Sequence, residues 1–581
     1  MTPQSLTEPN KSWALKRVWL LAALALAVRL IYWLQAADNP LLSVALVDEA
    51  YYLDQAREVL AVGWTWAEGF IMDPLYTWFL AGALTIGDGV DPFWARLLQV
   101  SIDSLNVIAL WLIGRRLWSD RVGLVAGALY ALYPVAWLYS LSLLKATLTT
   151  SAVLWLTWLV VWLLMGRRGL LWWLVVGLAI GLVTYLRGNL LLLAPLIVLA
   201  LALLLRPWRH ALAAVGLLLL GTGIVLTSVA TAHRHAGGPW APLPAVAGYT
   251  LYSANHPNNP RGVYRTPAFV NVDAPAELLG QFQQEAARRR GLPADQVPDP
   301  WATSAYWRGQ AMRWWISSPS VLPRLLWYKL NQLITGAEIP NVHNIRLHAR
   351  YAPMLVPWLP VFAIALALGL PGLIIGIRRQ REALVLLAPI AMVAATTVIY
   401  YGASRLRLPM VPMLLLGIGV LADGDWHRRW RSALAVGAAA SLLLLASLLA
   451  WHPGIPMAQA LLQAARAHAQ LGQLDAADRL LEAAGPAVID NTRALITRSA
   501  IALMREEYAA ARRLGEHGLR IDPRSPELLF NTGVAALREG DASGALELLR
   551  RAEDISPDAQ TRAQLALARQ TLQDQLSPDG G

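Results

Sequence analysis

Cysteine is absent from the 581 residues, and charged side chains make up only 15% of them. The first absence excludes a disulfide framework and any thiolate-held zinc or iron–sulfur centre. The second falls well below the roughly 25% charged residues of an ordinary soluble domain. The chain also has no Walker-type phosphate loop, no HExxH pair and no clear Ser-His-Asp pattern. What it has in abundance is apolar: 56% of residues are hydrophobic and mean hydropathy is +0.43. Such a composition excludes a soluble, disordered or fibrous chain and predicts an all-α, polytopic membrane protein.

A helical span needs about 20 mostly apolar residues. Eleven stretches qualify: about 17–36, 93–114, 121–139, 148–165, 170–186, 190–205, 210–230, 353–376, 383–400, 406–422 and 433–450. The first lacks a small-residue cleavage site and reads as a retained helix. Basic residues in short loops set orientation. Lys11, Lys16 and Arg17 place the N-terminus inside. With eleven spans, Arg115/Arg116/Arg121, Arg167/Arg168, Arg206/Arg209, Arg378/Arg379/Arg381 and Arg428/Arg429/Arg431 all fall on that same side. The net charge of +11 is therefore largely topogenic, and nucleic acid is not expected as a partner. Residues 75–89 are apolar but short, and counting them as a span would reverse every later cluster, so they are expected to lie in the interface or re-enter. The outer face then carries loops of about 37–92 and 231–352, and everything after about 451.

Residues 453–575 change to Ala, Leu, Arg, Glu and Asp at helical spacing. A period of 34 aligns Ala477, Ala511 and Ala545, then Leu480, Leu514 and Leu548. Pro523 aligns with Pro557, and Gly472 and Gly540 bracket Glu506 in one column. This predicts a tetratricopeptide-like α-solenoid following a membrane domain of residues 1–451. Its small Ala columns would let helices approach, its Leu column would fill the stacked core, and its surface would suit a peptide or protein partner.

Four cations, Lys145, Arg187, Arg405 and Arg407, stand at outer span ends, where the positive-inside rule does not account for them. Any one alone is equally well read as a snorkelling side chain. Four at three helix junctions point to a site, and cations at headgroup depth suit a lipid-linked phosphate. Acids join them. Asp48 and Glu49 follow the first span, and Asp73 precedes the interfacial stretch. Asp48 alone reads as a helix N-cap. Beside a phosphate site, a carboxylate can instead take a proton from an attacking hydroxyl. His343 and His348 lie in a polar loop and are expected to be solvated. The loop 231–352 is too long for an idle connection. Its aromatic run at 301–315 reads as an interface belt more readily than as a sugar-stacking surface. The loop could also serve as a lid.

These motifs and their order resemble the GT-C superfamily of membrane glycosyltransferases, nearest to protein O-mannosyltransferases and lipid A aminoarabinose transferases. The resemblance rests on Asp48-Glu49, DPLYTWFLAG at 73–82, the stretch 96–134, LRGNLLLLAP at 186–195, SANHPNNPRGVYRTP at 253–267, GAEIPNVHN at 336–344 and SRLRLP at 404–409. It covers about residues 10–450, and many bacterial members carry a tetratricopeptide tail.

The resemblance implies transfer of a sugar from a polyprenyl-phosphate carrier to an acceptor hydroxyl on protein, lipid or glycan. Transfer would take place on the outer face, with inversion. It implies Asp48 as general base, with Glu49 and Asp73 binding acceptor or sugar. Arg405 and Arg407 would hold carrier phosphate, joined by Arg187 and Lys145. Asn258, Asn259, Arg261, Tyr264, Glu338 and Asn341 would close over the sugar. No cofactor is expected and a divalent metal is not indicated. One departure stands out: relatives often carry an acid at or just after the position of Lys145, where this chain has Ala146 and Thr147. Either Asp73 or Glu338 substitutes, or one acid suffices. The topology implies a bacterial inner membrane, with the N-terminus cytoplasmic and the tail periplasmic. A lipid-linked glycan polymerase or ligase, and a non-enzymatic membrane scaffold, remain as alternatives. A transporter fits least, because transporters place charges near the bilayer midplane.

Overall fold

The computed structural model describes residues 8–63, 71–166, 168–270, 275–293, 296–356, 358–424, 430–453, 457–485, 491–555 and 559–576. Arg167, Arg428, Arg429 and Pro557 lie outside them. Every regular element among the described residues is helical. The chain forms two compact units, one of Met1–Ala37, Val47–Pro267 and Leu279–Gly454, the other of Asp38–Leu46, Ala268–Leu278 and Ile455–Gly581.

Among the described residues of the first unit, eight helices are long and apolar enough to cross a membrane. They are Leu15–Gln35, Phe93–Leu117, Ala146–Gly166, Trp208–His235, Val361–Arg379, Arg381–Ile399, Ser404–Ala422 and Ser432–Leu449. A ninth is the pair Asp120–Ala131 and Pro134–Leu141, bent by 58°. The bend falls where Pro134 lacks the N–H that would continue the ladder. The remaining expected stretches correspond to the shorter apolar helices Trp172–Thr184 and Gly188–Leu204. One boundary moves. The stretch expected from 353 becomes helical only at Val361, after a single 3-10 turn at Pro353–Leu355. Prolines at 353 and 360 explain the delay, since each removes a donor and restricts the residue before it. The short stretch after Asp73 is the 11-residue helix Pro74–Leu84.

A buried polar cluster ties the first span to its neighbours. Arg29 is 0% exposed and Asp103 1%. Arg29 Nε donates to Asp103 at 2.7 Å, and NH1 donates to the Ala25 carbonyl at 3.0 Å. The Tyr130 hydroxyl donates to the other Asp103 oxygen. Asn106 donates to that same oxygen at 3.1 Å and to Ser151 at 2.9 Å. Charges this deep persist only when paired and hydrogen-bonded, as these are.

The second unit contains seven helices between Met457–Gln470 and Ala559–Leu576, and successive helices pack on one another. Ala477, Ala511 and Ala545 are fully buried at the helix contacts. Leu480, Leu514 and Leu548 are only half-buried. The core column is the next position, Leu481, Gly515 and Leu549. That position lies four residues after the Ala column, on the same helical face.

Candidate active site

The helix Asp48–Val62 opens with two acids, which suit its N-terminal partial charge. Val47 before it has φ 54° and ψ −118°. A β-branched residue held there costs about 1–3 kcal/mol, a strain that persists only where surrounding structure imposes it. Asp48 emerges from this turn and receives Arg405 NH1 on its Oδ2 at 2.8 Å.

Asp73 precedes Pro74–Leu84 but makes no side-chain cap to its own helix. Instead its Oδ2 pairs with the Lys145 ammonium, and its Oδ1 accepts the Gly188 N–H at 3.0 Å. The loop before Lys145 carries no acid of its own; Asp73 reaches it at Lys145, and Glu49 reaches it at Leu143. Arg187, beside Gly188, is buried, and among the described residues no carboxylate pairs with it. Burial lowers its pKa, and the guanidinium of Arg405 lowers it further. Burial likewise lowers the Lys145 ammonium; Asp73 pulls the other way, and Arg187 adds to the lowering. The cations therefore repel one another across a site that two carboxylates only partly neutralise.

Tyr52 lies one helical turn after Asp48, on the same face. Its ring lies under the Lys145 ammonium, 5.5 Å from the centroid. Its hydroxyl is buried and has no hydrogen-bond partner. Burial raises its pKa well above the usual value, and Asp73 and Asp48 raise it further. A buried phenol left unsatisfied costs about 1–3 kcal/mol, which a ligand oxygen could recover. Arg405 Nε, close to the same ion pair, is also buried without a partner.

Glu49 faces inward. Its Oε1 accepts the Leu143 N–H at 2.8 Å and stands 3.1 Å from His343 Nε2. His343 Nδ1 in turn stands 3.1 Å from His348 Nε2. Both histidines are buried, which corrects the expectation that they are solvated: the buried carboxylate draws His343 in as a donor, and His348 packs behind it. Burial, and then His343, depress the His348 pKa.

The two late arginines separate, as expected of positions two apart in a helical turn. Arg405 joins Asp48. Arg407 NH1 donates to the Thr335 carbonyl, NH2 donates to Ala337 O at 2.9 Å, and NH2 lies 3.4 Å from Glu338. Its guanidinium also lies 4.0 Å from the centroid of the Phe362 ring. Glu338, His343, Ser404 and Tyr139 line a cavity of about 10 Å³, roughly the room for one water. Glu338 Oε1 and Asn341 Oδ1 are buried without partners.

In the long loop 231–352, Asn259 is engaged by the backbone, donating to Ser253 O at 2.9 Å and Val263 O at 2.7 Å. Arg261 stacks over Tyr328 and Trp451, and Tyr264 packs on Tyr401 with centroids 5.0 Å apart. Asn258 is exposed. None of these contacts reaches Asp48, Glu49 or Asp73. Sequence reasoning missed Tyr52, although its spacing from Asp48 was a usable signal. It also missed Gln99, whose amide donates to Ser140 O and Ser142 O and accepts from Tyr76, holding the turn before Lys145.

Residues 73–233 match the family model described as dolichyl-phosphate-mannose-protein mannosyltransferase. No curated protein matches the chain. Among solved structures, the Archaeoglobus fulgidus oligosaccharyltransferase in its apo form is 14% identical with a TM-score of 0.38, the match covering 79% of this chain and 58% of that one. The archaeal oligosaccharyltransferase AglB from the same organism, in complex with an inhibitory peptide and a dolichol-phosphate, is 13% identical with a TM-score of 0.38, covering 82% and 60%. The chain thus spans about three fifths of the length of these structures. The family match lies in the unit that carries the apolar helices and the ion pairs of Asp48 and Asp73.

Proposed function

We propose that the chain moves a sugar from a polyprenyl-phosphate carrier to an acceptor hydroxyl, with inversion, on the periplasmic face of a bacterial inner membrane. The observation that carries this reading is the convergence of Lys145, Arg187 and Arg405 with the unpartnered Tyr52 hydroxyl. Two carboxylates cannot neutralise three cations, and a phosphate would complete the set. The family description also names a lipid-phosphate sugar donor and a protein acceptor.

In the proposed reaction the carrier phosphate settles among these cations and draws Arg405 from Asp48. The freed carboxylate takes the acceptor proton. The acceptor oxygen then attacks the anomeric carbon from the face opposite the phosphate. A carbon–oxygen bond forms, the bond to the phosphate oxygen breaks, and the electron pair leaves with the lipid phosphate. Protein cations and the Tyr52 hydroxyl stabilise that developing charge. Glu49 and Asp73 act by placement: Glu49 holds Leu143, and Asp73 holds Lys145 and Gly188. Arg407 shapes the 335–338 loop. The second unit is read as a tetratricopeptide-type docking surface for a peptide or protein.

The test is transfer by purified protein with a panel of polyprenyl-phosphate sugars and lipid-linked glycans, with Asp48→Asn beside it. Turnover lost in the variant supports the reading and names the donor. Wild-type protein inactive on every donor, with Asp48→Asn silent in cells, sinks it in favour of a scaffold.

A further inference from the structure

The helix Leu322–Ile334 buries three polar side chains, Lys329, Asn331 and Gln332, of which Lys329 and Gln332 lie three residues apart. Lys329 Nζ donates to Asn255 Oδ1 at 2.6 Å, Tyr400 O at 2.8 Å and Ile399 O at 3.1 Å. All three hydrogen-bond partners are neutral. The two carbonyls end the helix Leu387–Ile399. Terminal carbonyls lack intrahelical donors and carry the negative end of the dipole, so an ammonium is a fitting partner. Helix termination alone would need nothing more.

The contacts go further. Asn255 Nδ2 also donates to Ile399 O, at 3.0 Å. Gln332 Oε1 accepts the Gly402 N–H at 2.9 Å, and its Nε2 donates to Arg261 O at 3.1 Å. One helix thereby fastens the 255–262 loop to the 399–402 turn, which leads within three residues to Arg405. Both segments lie too close for a side chain. A Cβ at Gly402 would stand 2.7 Å from Gln332 Cβ. At Gly262, with φ +61°, it would stand 2.5 Å from Lys329 Cε.

We propose that Lys329 is a positioning residue that sets the 399–402 turn, so that Arg405 meets Asp48 and the incoming phosphate. The inference rests on the phosphate role of Arg405 given above. The test uses full-length protein in nanodiscs and polyprenyl phosphate without a sugar as probe. Binding is measured for wild type, Lys329→Met, Arg405→Gln and the double variant, and KM and kcat are measured with the active donor. Lys329→Met is expected to weaken probe binding on the order of tenfold and to raise donor KM more than it lowers kcat. In the double variant it is expected to add nothing to Arg405→Gln, because residues acting through one group are not additive. Unchanged binding in Lys329→Met, or a loss that adds fully to that of Arg405→Gln, overturns the inference while the phosphate reading stands. Wild type that does not bind the probe overturns both. If Lys329→Met does not fold, Asn255→Ala keeps the ammonium with two of its acceptors and is read the same way.

Discussion

Asp73→Asn separates a catalytic acid from one that holds a cation in place. The substitution keeps Oδ1 for the Gly188 N–H, now 3.0 Å away, and removes the charge opposite Lys145. The Lys145 side chain is 12% exposed and that of Asp73 6%, so the ammonium would be stranded among Arg187 and Arg405 with little water. Removing one partner of a buried pair costs about 3–5 kcal/mol. For a unit of this size that is a fall in thermal midpoint on the order of 5–10 °C. The assay is thermal unfolding of purified protein in one detergent, followed by intrinsic fluorescence. Asp73→Asn combined with Lys145→Met removes the stranded charge as well and should recover most of the lost stability, while transfer stays impaired for want of Lys145. A single variant within about 1 kcal/mol of wild type would refute the reasoning, since Asp73 would then face solvent or acceptor rather than offset the burial of Lys145.

Three further outcomes follow from the geometry. Asp103→Asn should cost about 3–5 kcal/mol by leaving Arg29 unpaired, whereas Arg29→Met with Asp103→Asn, which keeps an oxygen for Tyr130 and Asn106, should lie much closer to wild type, both read from thermal midpoints. Burial and Arg265 push His256 down to about 4, against about 6.5 in the unfolded chain, so the unfolded state binds the proton first as pH falls; stability is full above 6.5 and declines towards 4, by at most about 3 kcal/mol, and His256→Leu should flatten that limb of a pH–stability curve. Val47→Gly should leave stability unchanged or raise it by about 1 kcal/mol, because glycine accepts φ 54° freely, and it should lower kcat if the strained turn aims Asp48.

The apolar segments and their order were legible because a span is a local property, about 20 residues of one character. Its edges were less so. The prolines at 353 and 360 shift one start, and Pro134 bends one span, effects of single residues that a hydropathy run averages away. The acids and cations are legible as a group, since capping or snorkelling accounts for any one alone but not for four cations at three helix junctions. Their pairing is not, because Asp48 and Arg405 lie 357 residues apart and only the fold brings them together. Arg405 and Arg407 looked equivalent in sequence, and the helical turn sends them to different partners. His343 and His348 are not legible as buried because a polar loop suggests exposure, whereas Glu49 holds the pair inside. Lys329 is hidden because its helix leaves Leu326, Trp327 and Leu330 exposed, so that nothing in its local sequence marks a buried polar face.

The arrangement of charge also bears on the order of events. With Arg405 NH1 on its Oδ2, Asp48 has a lone pair already engaged, and an acceptor hydroxyl arriving first would meet a carboxylate held by a guanidinium. A donor phosphate competes well for Arg405, because the pair is charge-assisted and Arg187 and Lys145 add to the attraction. Donor binding would thus supply both the leaving group's counter-charge and the free base, and the proposed reaction would run donor first. An idle site that keeps Asp48 occupied also has no base ready for water. Hydrolysis of the donor in the absence of acceptor should then depend on Asp48 as transfer does. If Asp48→Asn abolishes transfer but leaves hydrolysis untouched, the resting ion pair has no bearing on the order of binding.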